Sequence, residues 1–300
     1  MDMTQNKCCR HGANLRRRRR RRRKILRSII FSCSIIAVAV FVAVGIRMIT
    51  SGDGRTNRYD VEARNNTYDN AVIENSKISE KNKIQNNQSM LDDIMNSTQY
   101  PKQLKDLALK NEEALEFVYD YPAEHVKEHT IDLTEEASMD SVPLFVQWDK
   151  RWGYEKYSGN FFAASGCGPT TLSMVVVYLT HNREASPIAV AKYSKEAGYS
   201  VDGSGSSWTL ISEGCMHYGV KAKAVALDES RMKAELDAGH PIVINVGPGD
   251  FTDTGHFMVI TGYDDEGFSI NDPNSIEKSG KRWLFKNISS QIRAVWSMYV

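Results

Sequence analysis

A cysteine framed by glycines is the first group in this chain with chemical potential. It sits in Phe161-Phe162-Ala163-Ala164-Ser165-Gly166-Cys167-Gly168-Pro169-Thr170-Thr171. Glycine on both sides lets the backbone approach a ligand closely or adopt unusual dihedrals. Pro169 suits a first helical turn, where its missing N–H costs nothing. The apolar run onward to Leu179 predicts a buried helix. Cys167 therefore stands at or just before a helix N-terminus, whose partial positive charge favours thiolate over thiol. Its own N–H points to where an oxyanion can form. The same segment also fits a structural cysteine in a tight turn. A disulfide to Cys215 would remove the nucleophile altogether. Cys215 lies in a predicted amphipathic helix, Trp208 to Tyr218, ended by Gly219, and reads as a core thiol.

A thiolate nucleophile needs a base, and the base needs an orienting acceptor. Of the seven histidines, His256 alone opens an apolar strand, Phe257-Met258-Val259-Ile260, after the glycine-rich loop Gly247-Pro248-Gly249. That strand is expected to pair with Pro241 to Val246. An imidazole at the mouth of a buried strand points to a site, though a satisfied core histidine fits as well. One hairpin later, beyond the turn Asp264-Asp265-Glu266-Gly267, the return strand ends in Asn271-Asp272-Pro273-Asn274. Antiparallel pairing brings Asp272 near His256 once a shift of a few residues is allowed; Asp272 also fits a plain turn residue before proline. A separate motif, His125-Val126-Lys127-Glu128-His129, matches a zinc pattern in which both histidines share a helix face. No apolar stripe accompanies it, and a solvated helical turn explains it better.

The elements that hold these groups lie in a chain of 300 residues with net charge +1. The first 28 residues carry twelve basic groups and one acid, leaving 26 basic and 36 acidic groups for the other 272. The absence of GxxxxGK[ST], GxGxxG and CxxC argues against P-loop, Rossmann and zinc-ribbon chemistry. Behind the eight arginines Arg16–Arg23, residues 29–46 are without charge. That is nearly enough helix for a hydrocarbon core of roughly 30 Å. The expected organisation is a basic cytoplasmic tail (1–28), a transmembrane helix (29–49), a disordered stalk (50–89), a helical lead-in (90–140) and a globular domain (141–300). A cleaved signal peptide is the competing reading of the apolar run. Beside a membrane span, the arginines are expected to meet anionic lipid headgroups rather than nucleic acid.

Gln147-Trp148-Asp149-Lys150-Arg151-Trp152-Gly153, Gly166-Cys167-Gly168-Pro169-Thr170, Thr254-Gly255-His256-Phe257 and Asn271-Asp272-Pro273-Asn274 occur in this order. Together they resemble a papain-like cysteine peptidase, similar to the endopeptidases that process bacteriocin leaders. The resemblance covers about Met90 to Val300. It implies an α+β papain-like fold, with a helical part carrying the nucleophile helix and an antiparallel sheet carrying the His and Asp. It implies Cys167 as nucleophile, His256 as general base, Asp272 as its orienting partner, and Gln147 as side-chain donor to the oxyanion beside the Cys167 N–H. Trp148 and Trp152 are expected to pack the core. The loops 203–208 and 247–253 are expected to line the cleft. The expected function is peptide-bond hydrolysis outside a bacterial cell, on a peptide or protein substrate, without metal or organic cofactor. The alternatives are a cell-wall peptide hydrolase or transpeptidase with the same triad, and a non-catalytic surface binding module.

Overall fold

The computed structural model describes residues 79–300. The basic tail, the apolar run and most of the expected stalk lie outside the described residues. No helix among the described residues is long and apolar enough to cross a membrane. Residues 79–96 are helical (α1), although the sequence predicts disordered stalk as far as 89. The polar first turns of α1 are exposed, and the helix is anchored further along. Met90 and Ile94, four residues apart, share a face, and Ile94 is fully buried. Composition hides a helix of this kind because tertiary packing at one end stabilises it.

Helix α2 (Lys102–Lys110) follows Pro101 and buries Leu104, Leu107 and Ala108. A 3-10 turn, Glu112–Ala114, is capped by the Asn111 side chain, which accepts from the Glu113 N–H. These lead-in residues share one apolar cluster with Phe161 and Ala163, so the lead-in is built into the domain. The short helix Tyr121–Glu124 ends before His125, so His125 and His129 do not share a helix face. His125 Nδ1 lies 2.6 Å from the Tyr121 carbonyl, and His129 Nε2 lies 3.3 Å from the Glu124 carbonyl.

Helix α3 (Cys167–Thr180) is buried from Gly168 through Val177 and ends at His181, which takes a left-handed conformation at φ 57°. Helices α4 (Pro187–Glu196) and α5 (Glu229–Asp237) are the other long ones. The main sheet comprises β1 (Lys221–Ala224), β2 (Ile242–Val246), β3 (His256–Asp264), β4 (Gly267–Asn271), β5 (Arg282–Trp283) and β6 (Ile292–Tyr299). Their spatial order is β1-β6-β2-β3-β4-β5, with every pair antiparallel. All five positions of β2 are buried, because the sheet is covered on both faces. Alternate side chains sort accordingly. Val243, Phe257 and Val259 pack in the cluster built around α3. Ile242, Ile244, Met258 and Ile260 pack with Met232 and Leu236 of α5. This mixed helix-and-sheet layout places the N-terminus of α3 beside the start of β3.

Candidate active site

Cys167 is the first residue of α3, with Gly166 at the cap. Neither flanking glycine has positive φ; both are needed for room. A Cβ on Gly166 would lie 2.6 Å from the buried Phe162 ring, and one on Gly168 would lie 2.5 Å from Ser206 Oγ. Close packing of the loop, rather than unusual dihedrals, explains the glycine pair. Cys167 and Cys215 are both free thiols, so the disulfide alternative does not form. They differ in environment. Burial pushes the Cys215 thiol up to about 11. Burial acts the same way on Cys167, but there a hydrogen bond to His256, the charge of that ring, and backbone hydrogen bonds from Phe257 and Gly168 prevail, holding its pKa below the ordinary thiol value.

His256 opens β3, opposite Val246 of β2. The Thr171 hydroxyl donates to the Phe257 carbonyl at 3.0 Å, fixing α3 to β3 next to the site. His256 Nε2 lies 2.7 Å from Asp272 Oδ1, and the two side chains are only 7% and 1% exposed. With Nε2 donating to the carboxylate, Nδ1 is the nitrogen that faces Cys167. Burial disfavours a charged ring, but the charge and hydrogen bond of Asp272, together with those of Cys167, outweigh it and raise the His256 pKa to about 10. Both shifts act toward the thiolate–imidazolium form of the pair.

Asp272 reaches His256 through the β3–β4 hairpin. The register pairs Val259 with Asn271 and contains a bulge between Ile260 and Gly262. That bulge supplies one residue of the shift the sequence required, and diagonal contact supplies the rest. Continued by one residue, the register sets Asp272 opposite Met258, with His256 as its diagonal neighbour on the same face. Asp272 then leaves the sheet, and its Oδ1 also accepts from the Asn274 N–H at 2.8 Å.

Gln147 is buried, and its Nε2 donates to the Ala163 carbonyl at 2.7 Å. Its backbone N–H donates to the Pro273 carbonyl at 2.7 Å, which ties it to the Asp272 loop. Trp152 is a core residue as expected. Trp148 does more than pack, since its Nε1 donates to the Asn274 carbonyl at 3.2 Å. Two cavities, of about 510 and 680 Å³, meet at Cys167, and both are also lined by Asn160, Ala164, Thr254 and Gly255. Cys167 thus lies at the waist of a groove. Both expected loops are there, 203–206 with Trp208 on one side, and 247–253 spanning the two. The sequence did not reveal that α2 also lines the groove, through Gln103, Asp106 and Lys110. Nor did it reveal that Asn111 and Glu113 bond the Asp272 loop. An activated thiol, an oriented imidazole and a helix N-terminus at the waist of an open groove can perform nucleophilic acyl transfer.

Comparison with known proteins places the domain in a family. The model of the Peptidase_C39 like family matches residues 139–300. Among solved structures, the chain is similar to the peptidase domain of Streptococcus ComA, described as a bi-functional ABC transporter involved in a quorum-sensing pathway. The identity is 18%, with 53% of this chain and 96% of that one covered and a TM-score of 0.38. It is also similar to a putative C39-like peptidase from Bacillus anthracis, at 18% identity, 53% and 95% coverage and a TM-score of 0.33. None of the curated proteins compared with the chain matches it. With the family model matching more than half of the chain, including Gln147, Cys167, His256 and Asp272, the chain belongs to the Peptidase_C39 like family and carries a papain-like domain of that kind.

Proposed function

We propose that this chain is a membrane-anchored cysteine peptidase that hydrolyses peptide bonds through Cys167, His256 and Asp272, with Gln147 as an oxyanion donor. The observation that carries the reading is the position of His256, hydrogen-bonded to Asp272 at 2.7 Å and electrostatically coupled to the Cys167 thiol beside the same groove.

The Cys167 sulfur, as thiolate, attacks the carbonyl carbon of a peptide lying in the groove. The oxygen that gains charge is met by the Cys167 N–H, which as a first-turn group has no partner within its helix, and by the uncommitted amide hydrogen of Gln147 Nε2. As the C–N bond breaks, the imidazolium gives its Nδ1 proton to the departing amine, leaving a thioester. Water then loses a proton to the neutral ring while its oxygen attacks the thioester carbon. The C–S bond breaks, the acid departs, and the thiolate–imidazolium pair is restored. Asp272 keeps the ring oriented and stabilises its charge throughout. None of these steps calls for a metal or an organic cofactor.

The apolar run 29–46 behind Arg16–Arg23 supports single-pass anchoring in a cell membrane with the arginines cytoplasmic and the domain outside. The substrate class that fits is a peptide or an extended protein segment. Cys167→Ala is expected to abolish hydrolysis of a fluorogenic peptide library, while Cys215→Ala retains it. Equal loss in both variants, or turnover surviving in Cys167→Ala, refutes the assignment.

A further inference from the structure

Beyond Asn271 the chain leaves the sheet, and an isolated bridge joins Asp272 to Ser275. Within the domain the turn is held by the Ser279 hydroxyl, which accepts from the Asp272 N–H at 2.9 Å, and by the Gln147 N–H and Trp148 Nε1. The lead-in, some 160 residues earlier, adds a further set of bonds. The Glu113 carboxylate takes three hydrogen bonds from the segment just after Asp272: from the Ser275 hydroxyl, from the Ile276 N–H at 2.7 Å and from the Glu277 N–H at 3.1 Å. Asn111 Nδ2 donates to the carbonyl and the side-chain oxygen of Asn274, at 2.9 and 3.0 Å. The Asn274 N–H in turn donates to the same Asp272 oxygen that meets His256. A continuous hydrogen-bonded path thus runs from Asn111 through Asn274 and Asp272 to His256. Asn111 and Glu113 both precede the segment matched by the family model.

We infer that Glu113 and Asn111 are positioning residues for the reaction, fixing the Asp272 turn and through it the His256 ring. The inference rests on the triad reading proposed above. The physical basis is that a carboxylate accepting several hydrogen bonds, two of them from backbone N–H groups, holds a turn more firmly than neutral contacts do, and that a site needs its supporting contacts fixed to within a fraction of an ångström. It follows that the lead-in is a constituent of the active unit. Its helix α2 walls the groove and leaves Cys167 accessible there.

The test is the pH dependence of iodoacetamide alkylation at Cys167 in the full chain, read by mass spectrometry of the peptide containing it and normalised to the folded fraction. A purely structural role would lower stability without moving this profile. Glu113→Ala is expected to shift the profile toward that of an ordinary thiol and to slow alkylation at pH 7 by about three- to tenfold. Glu113→Gln, which keeps an acceptor for the backbone N–H groups, stays within about twofold of the parent. Asp272→Ala shifts the profile in the same direction, and adding Glu113→Ala to it produces no further shift. An unshifted Glu113→Ala profile alongside a shifted Asp272→Ala profile overturns the inference and leaves the triad intact. An unshifted Asp272→Ala profile sinks the triad reading itself, and the inference with it. Should Glu113→Ala fail to fold, Asn111→Ala carries the test: a shift in the same direction supports the inference, and an unchanged profile overturns it.

Discussion

The Gln147 side chain has two amide hydrogens, and only one is committed, to the Ala163 carbonyl. The other defines its role in the proposed mechanism. Gln147→Ala is expected to lower kcat by about 100–1,000-fold with KM little changed, while alkylation of Cys167 stays near the parent rate. Loss of alkylation together with turnover would mean that Gln147 supports the fold instead. The charged pair also makes stability depend on pH in two directions. His256 is raised above its ordinary value of 6.5, so its contribution is full below that value and is lost as pH rises through about 10. Cys167 is lowered from its ordinary value of 9.0, so its contribution is full above that value and is lost as pH falls through the lowered one. At this scale much of the candidate site was legible in the sequence. Cys167 between glycines, His256 at the mouth of an apolar strand and Asp272 before a proline are polar groups where burial alone would not put them. Asn111 and Glu113 were not legible as site residues, because their partners lie some 160 residues away and nothing local marks that distance.

The elements succeed or fail as sequence readings according to how locally they are stabilised. Helix α3 and the β2–β3 pair follow from largely apolar runs, and both form where expected. The helix expected over 208–218 is broken instead. One turn, Thr209–Ser212, is followed by a 3-10 segment, Gly214–Tyr218, with Glu213 between them at φ −128°. Gly214 follows the break and lets the chain pack closely, since a Cβ there would lie 3.1 Å from the Tyr199 ring and 3.2 Å from Leu210. That close approach belongs to the tertiary fold and cannot be read from periodicity. The start of α1 escaped for the same reason. Helix α2 is the element whose role is most open to test. Leu104 is fully buried in the cluster joining the lead-in to the domain. Leu104→Ala is expected to cost about 2–5 kcal/mol, seen as a lowered midpoint of a single urea transition that Cys167 reactivity follows in step. Two separate transitions, with the Cys167 environment surviving the first, would show the lead-in to be an independent part.

For the molecule as a whole, the proposed anchor lies outside the described residues, and the proposed catalytic unit begins in the lead-in. If residues 29–46 span a bilayer, the full chain stays in the membrane fraction through alkaline carbonate extraction, which removes proteins held only by electrostatic attraction of their basic tails to headgroups. Its release into the supernatant would contradict the anchor. The unit from residue 79 onward gathers its site from stretches far apart in sequence, and its chemistry stands on one electrostatic arrangement, a buried imidazole between a carboxylate and a thiol. The most direct measurement is therefore the rate of iodoacetamide alkylation at Cys167 against pH, in the parent and in His256→Ala. The parent is expected to react below the pH at which an ordinary thiol ionises and to hold a plateau into the alkaline range, and His256→Ala is expected to lose this low-pH reactivity. A parent profile that rises only at the ordinary thiol value, or one unmoved by loss of the imidazole, would contradict this arrangement.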